Sequence, residues 1–276
     1  SIRAQQTPPT SEVIVADNAS SDESVHMVRE HFPEVELIVN DENLGFAKAT
    51  NQTLRAARGR YLMMLNPDTV LEPDCLQKLV AVAGVHPEAG IVAPRLVYPD
   101  GSLQYSCRRF PTIAAAVYRN TVFGRLFPSA RPAAEYIMQD CDHDTQHDVD
   151  WASGACLLLR REAFEQVGEL DESFVWGSED VDYCLRMHRA GWRVLYSPVT
   201  DVVHAVGRST DQAVVPTIVR THRGMYRLYS KHFAPNVMAR AFVWVGVWVR
   251  ACLLIVSWEA RRFIRGALAR LRRLGG

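Results

Sequence analysis

The 276-residue sequence lacks most of the features that identify a protein at a glance. Its six cysteines form no CxxC pair and no Cys/His spacing of a zinc site, and several lie inside apolar runs, as small buried thiols do. No signal peptide opens the chain, so the cysteines read as free thiols in a reducing compartment. Internal repeats and low-complexity segments are absent, which sets aside solenoids and fibres. No glycine-rich loop bearing Lys or Arg follows the first apparent strand, which argues against a nucleotidyltransferase. Net charge is missing too, with 31 basic and 31 acidic residues.

That balance hides an asymmetry. Residues 1–219 carry 19 Lys/Arg and 30 Asp/Glu, a net of −11, and residues 220–276 carry 12 and one, a net of +11. An acidic body with a basic tail points to a tail that meets an anionic surface. Within the tail, residues 241–258 (AFVWVGVWVRACLLIVSW) hold one charge, Arg250. A spanning helix needs about 20 apolar residues, and a central Arg costs roughly 2.5–3.5 kcal/mol on insertion scales. Residues 259–274 read as a basic amphipathic helix, with Phe263, Ala267, Leu268 and Leu271 on one side. The competing reading is a helix packed on the body. The expectation is a domain at 1–219 and a helical tail at 220–276. The tail is expected to attach peripherally or re-entrantly to lipid at the cytoplasmic face of the cell membrane, with a single span as the alternative. Nucleic acid is not among the expected partners.

The body reads as alternating strands and helices. The stretch YLMMLNPDT (61–69) is an apolar run that stops at turn residues, as a central strand of an α/β sheet does. Ligands bind beyond the carboxyl ends of such strands. Asp68 either faces that crevice or caps a helix expected at 73–82. EVIVA (12–16) and 35–39 read as earlier strands, and 90–93 as a later one, giving the order β-α-β-α-β-α-β of a doubly wound sheet. Residues 98–150 are irregular, and their acidic run DCDHDTQHDVD (140–150) reads as a solvated loop rather than a metal site. Acids recur where a strand or loop opens a helix, at Asp17, at Asp68 and at Glu179, Asp180 and Asp182. The third of these stretches differs, because Trp176-Gly177-Ser178 before two adjacent acids is a costly way to build a plain cap.

The segments VADNASSD (15–22), ENLGFAKATN (42–51), LNPDT (65–69), WASGACLLLRREAF (151–164) and FVWGSEDVDYCLRMHRAGW (174–192), followed by His204, Gly207 and Ser209, resemble the family 2 glycosyltransferases of GT-A fold, in their rhamnosyltransferase-like branch. The resemblance runs in order over about 200 residues. It implies an inverting, metal-dependent hexosyltransferase of polysaccharide or cell-wall biosynthesis. Such an enzyme moves a sugar, rhamnose from dTDP-rhamnose at the family level, from a nucleoside diphosphate to a polyprenyl-linked or polysaccharide acceptor. The diphosphate needs Mg²⁺ or Mn²⁺, for which Asp68 and His204 match the family's ligand positions. Asn66 stands where the family more often has a first Asp and is expected to touch the ribose or back up the metal.

The same resemblance assigns the acidic pair to proton abstraction, Asp180 first and Glu179 second, with Asp182 structural. Asp17, Gly45, Asn51 and Arg208 would serve the nucleotide sugar, and Trp151, Gly154 and Trp176 the sugar and acceptor pocket. One departure stands out. The family begins with a strand and helix ahead of VADNAS, whereas only eleven residues precede Glu12 here. The expected fold is therefore a GT-A-type doubly wound mixed sheet without its first βα unit, plus the helical tail. That departure motivates an alternative function, a non-catalytic sugar-nucleotide-fold scaffold at the membrane or an inactive transferase.

Overall fold

The computed structural model describes residues 1–5, 10–112, 131–174, 177–205, 214–234 and 236–274. Contacts divide the chain into two units, Ser1–Gly207 and Arg208–Gly276. The division falls ahead of the 219/220 boundary read from charge, because one helix, Val214–His232, runs across that point.

The first unit opens with β1 (Ile14–Asp17), α1 (Ser24–His31), β2 (Glu36–Val39), α2 (Phe46–Ala56) and β3 (Tyr61–Leu65). It continues with β4 (Thr69–Leu71), α3 (Cys75–Val85), β5 (Ala89–Val97), β6 (Cys107–Arg108), α4 (Arg131–Tyr136), β7 (His147–Asp148), β8 (Trp151–Ala152), β9 (Cys156–Arg160), α5 (Arg161–Val167), α6 (Glu179–Arg189) and β10 (Arg193–His204). The main sheet has the order β3-β9-β5-β10-β4, with β7 also on β10. It is mixed, since β5 and β10 pair in parallel and the remaining pairs are antiparallel. β1 and β2 form a separate parallel pair, and β6 and β8 a short antiparallel ribbon. The alternation read from the sequence is present, but β1 and β2 are not hydrogen-bonded to the main sheet.

A sheet covered on both faces needs strands that are apolar throughout. β9 is buried at every position and β5 at all but Arg95. Gly90 lets the chain after α6 close on β5, since a Cβ there would lie 2.8 Å from Trp192 Cβ. Arg160, at the end of β9, is buried and still satisfied. It donates to the carbonyls of Ala89 (3.1 Å), His86 (3.0 Å) and Ala83, around the carboxyl end of α3, where the helix dipole favours a cation.

One expectation changes here. Asn51, expected at the nucleotide, is fully buried and spends its amide inside the body. It donates to Leu170 O (2.9 Å) and Glu172 Oε1 (3.2 Å) and accepts from Leu170 N (3.0 Å). It thus braces α2 against the loop after α5. The acidic run 140–150 is largely exposed, as a solvated loop should be, and its acids find partners at the surface: Asp144 pairs with Arg95, Asp148 with Arg193 and Asp150 with Arg109. Among the described residues, no three His, Cys, Asp or Glu side chains converge as a metal site.

The second unit holds α7 (Val214–His232) and α8 (Val237–Leu274). The expected apolar and basic helices are one continuous helix, because residues 258–260 carry no breaker. The stretch Val237–Arg262 is long and apolar enough to cross a membrane. Phe242, Val249, Leu253 and Val256 are exposed along it. Arg250, the charge inside the apolar run, donates to His222 Nε2 of α7 (2.9 Å) and approaches Met225 Sδ (3.6 Å). His222 is buried, and burial holds its imidazole below the usual value.

Asn51→Ala leaves the N–H and C=O of Leu170 without their partner in a dry interior. Each orphaned group costs about 1–3 kcal/mol, so urea denaturation is expected to show a loss on the order of 2–4 kcal/mol, and a loss under about 0.5 kcal/mol would remove the brace.

Candidate active site

The site is assembled beyond the carboxyl ends of the strands, around the segment that leads into β9. β3 ends at Leu65 opposite Cys156, and the next ladder bond runs from Asn66 N to Ala155 O (2.9 Å). Asn66-Pro67-Asp68 then forms a tight turn, closed by Thr69 Oγ1 (2.6 Å) and Thr69 N (3.3 Å) on Asn66 O. The chain returns as β4 against β10, with Thr69 opposite His204. That register brings Asp68 beside His204. Ala205 N bonds to Asp68 O (3.0 Å), and His204 Nε2 lies 3.4 Å from Asp68 Oδ1. The helix-cap alternative for Asp68 is gone, because α3 starts at Cys75 with Asp74 at its N-cap.

His204 Nδ1 lies 2.8 Å from Gln104 Oε1. A carbonyl acceptor there puts the ring proton on Nδ1, so the Nε2 lone pair faces the Asp68 carboxylate. Two electron-rich atoms turned toward each other need a proton or a cation between them. A hard carboxylate with a neutral imidazole is a donor set that divalent cations accept, and an orienting partner on the other ring nitrogen is the usual support. The residues present therefore fit a divalent cation, with two protein ligands.

The acidic pair opens α6. Gly177 (φ 77°) and Ser178 (φ 74°) are both left-handed, and for Ser178 that conformation carries strain. The turn delivers Asp180 onto the backbone of the neighbouring ribbon: Oδ2 accepts from Gly154 N (3.3 Å) and Oδ1 from Val181 N (2.8 Å). Gly154 immediately precedes Ala155, the partner of Asn66, so the Asn66–Asp68 turn and Asp180 are joined through two consecutive residues. Burial raises the Asp180 carboxyl, against these two N–H groups and the positive charge of Arg108. Glu179 is pushed up to about 8, first by burial and then by the charge of Asp180. Its Oε2 is sealed from water with no hydrogen-bond partner among the described residues. With its carboxyl raised to about 8, Glu179 favours its protonated form at neutral pH. Asp182, one turn on, is fully buried and paired with Arg186 (2.8 Å), as a structural acid.

Other expected residues gather around the same segment. An added Cβ on Gly154 would meet Phe46 at 3.8 Å, so the start of α2 borders Asp180. Gly45, at φ 82°, forms the turn into α2. Asn18 holds that turn to β1 by bonds to Leu44 N (2.9 Å) and Gly45 O (3.3 Å). Asp17 ends β1, with Oδ2 accepting from Ser20 N (3.0 Å). Trp151 is buried and donates its indole N–H to Arg109 O (2.9 Å), so it acts as a wall. Trp176 and Arg208 lie outside the described residues.

Two residues were missed in reading the sequence. Gln104 orients His204, and Arg108 sits over the rings of Trp151 (5.1 Å) and Tyr136 (5.8 Å) with its charge felt at Asp180. Neither had a periodic signal, since only the β6–β8 pairing and single long-range bonds place them.

A mixed α/β sheet with carboxylates gathered beyond its strand ends is the arrangement expected of a nucleotide-sugar transferase. The sequence comparisons agree. The family model of glycosyl transferase family 2 matches residues 1–168, and the chain belongs to that family. It is similar to the N-acetylglucosaminyl-diphospho-decaprenol L-rhamnosyltransferase of Mycobacterium tuberculosis H37Rv, with 31% identity over 226 residues, covering 78% of this chain and 73% of the relative. A rhamnosyltransferase of Escherichia coli K12 is 28% identical over 153 residues, 54% of either chain. In fold, the chain resembles a mannosyltransferase of Pyrobaculum calidifontis solved with GDP-Man and Mn²⁺, with TM-score 0.54, 20% identity, and coverage of 98% of this chain and 74% of that one. The protein is a glycosyltransferase of GT-A-type fold.

The Glu179 carboxyl, raised in the folded state, keeps its proton while the unfolded chain has lost it. Its stabilising contribution is full below about 4.5 and is lost as pH rises toward about 8. Glu179→Gln removes that dependence. Thermal unfolding is expected to show the variant gaining on the native protein between pH 5 and pH 8, by on the order of 2 kcal/mol, and a pH-independent difference would overturn the assignment.

Proposed function

We propose that the protein transfers a sugar, rhamnose, from a nucleoside diphosphate such as dTDP to the sugar of a polyprenyl-diphosphate acceptor, with inversion at the anomeric carbon. The observation that carries this reading is the joint at residues 154–155, which ties Asp180 to the Asp68–His204 turn. The name of the mycobacterial relative supports both the sugar and the acceptor.

Asp180 is the base. Its two backbone donors hold the carboxylate in one orientation, and its raised affinity for a proton suits it to take one from the acceptor hydroxyl. Glu179, protonated beside it, avoids a second buried negative charge. Asp68 and His204 would hold Mg²⁺ or Mn²⁺, with Gln104 fixing the imidazole. When bound, the cation supplies positive charge to the departing diphosphate. Asn66 and Arg208 lie on the segments flanking those two ligands and would contact the donor. Asp17 and Gly45 would meet the nucleoside where β1 and α2 come together, and Gly154 and Trp176 would line the sugar pocket.

The tail attaches the enzyme to the lipid that carries its acceptor. Exposed Phe242, Val249, Leu253 and Val256 offer an apolar face, and the pairing of Arg250 with His222 supports an in-plane or re-entrant seat over a simple span. Arg240, Arg261 and Arg262 favour anionic headgroups.

Asp180→Asn is expected to cut turnover by about 10²–10⁴-fold while leaving nucleoside diphosphate affinity near native. Asp68→Ala and His204→Ala are expected to abolish the Mn²⁺ dependence of that affinity in calorimetric titration. Full turnover in Asp180→Asn, or intact metal dependence in both ligand variants, refutes the reading. Removing residues 237–276 is expected to release the protein from anionic liposomes in flotation, and equal flotation of both forms would refute lipid attachment by the tail.

A further inference from the structure

We propose that Arg108 is the acceptor-phosphate subsite: its guanidinium receives the diphosphate linking the acceptor sugar to its lipid and so selects lipid-linked sugars over neutral ones. The proposal rests on the acceptor reading above and assigns a residue to it.

Arginines near the site are mostly committed elsewhere. Arg109 pairs with Asp150 (3.4 Å), Arg95 with Asp201 (2.5 Å) and Arg186 with Asp182 (2.8 Å). Arg108 makes no ion pair among the described residues, and its Nε and Nη2 have only long contacts, 3.4 Å each, to Tyr105 O. It is half-buried nonetheless, seated over Trp151 and Tyr136. A guanidinium withdrawn partly from water, near the Asp180 carboxylate but in no direct ion pair among the described residues, has charge to spare for a ligand. The aromatic faces fix its position, and Nη1 has no hydrogen-bond partner among the described residues while the Nε–Nη2 edge is held only by the long contacts to Tyr105 O. A planar fork of this kind matches a phosphate in bidentate fashion, which a lysine does not.

Its place in the fold points to the acceptor's phosphate rather than the donor's. Arg108 lies opposite Trp151 in the β6–β8 ribbon, and Ser153 N bonds to Ser106 O (3.0 Å) to continue it. The next residue, Gly154, holds Asp180. The ribbon therefore sets Arg108 relative to the base, and the base must stand beside the acceptor hydroxyl. The donor's diphosphate has its own anchor at Asp68 and His204.

The test compares the native full-length protein with Arg108→Gln and Arg108→Lys. Two acceptors are used, N-acetylglucosaminyl-diphospho-farnesol and the neutral octyl N-acetylglucosaminide, each titrated calorimetrically with dTDP and Mn²⁺ saturating and each assayed for KM. Arg108→Gln is expected to weaken the diphosphate acceptor by about 10–100-fold, to leave the neutral acceptor and dTDP affinity at native values, and to keep the native melting temperature within a few degrees. Arg108→Lys is expected to recover only part of the loss. Equal weakening of both acceptors, or a loss of dTDP affinity instead, overturns the proposal, the latter by making the phosphate the donor's. If the native protein binds neither acceptor while binding dTDP, the acceptor reading itself fails, and the subsite with it.

Discussion

The site depends on one stretch of backbone, residues 153–156. Ser153 ties to Ser106, Gly154 donates to Asp180, Ala155 accepts from Asn66, and Cys156 starts the strand that holds β3 to β5. Four elements distant in sequence meet there on main-chain groups of this stretch, and of the links only the one to Asp180 depends on a side chain. The strand that follows is buried at every position, so the joint is anchored by the driest part of the sheet. Precision at the reacting atoms comes from rigid neighbours, and here the neighbour is a central β-strand.

Electrostatics at this joint are costly and arranged. Two adjacent acids are brought out of water at a turn with a left-handed serine, a conformation that folding alone would not favour. The cost is limited by keeping one of them protonated and by giving the other two N–H donors and the field of Arg108. Protonation of Glu179 removes its charge repulsion from Asp180, whose carboxyl is itself raised by burial. Arg108 then works against that rise without neutralising the carboxylate through a direct pair.

Much of this was legible in the sequence, and the limits have physical causes. The strand ending in Asn66-Pro67-Asp68 and the acids of α6 announced themselves because a buried run that stops at polar turn residues has few other uses. The pairing of Asp68 with His204 followed from family order, and the antiparallel register of β4 on β10 is the structural reason for it. β4 itself was hidden: three residues give no period, so Thr69–Leu71 looked like the approach to a helix. Asn51 looked like a ligand contact because a motif shows which residue is present and not which way it turns. The acidic run at 140–150 has no internal period either. Its partners Arg95, Arg109 and Arg193 come from three separate elements, and pairings of that range leave no mark on local sequence.

The tail shows the same limit from the side of hydropathy. A composition reading sees an apolar helix interrupted by Arg250 and weighs the charge against lipid. In the second unit that charge is turned to α7, where His222 accepts its proton donor and Met225 lies against it. The acceptor must be a neutral imidazole, and burial together with the nearby guanidinium favours that form. What remains outward on α8 is Val, Leu, Phe and Trp, with arginines before and after. The interruption is therefore internal to the helix pair. The outward apolar face of α8 is thereby kept clear of that charge, and α7 is as necessary to this as the apolar helix itself.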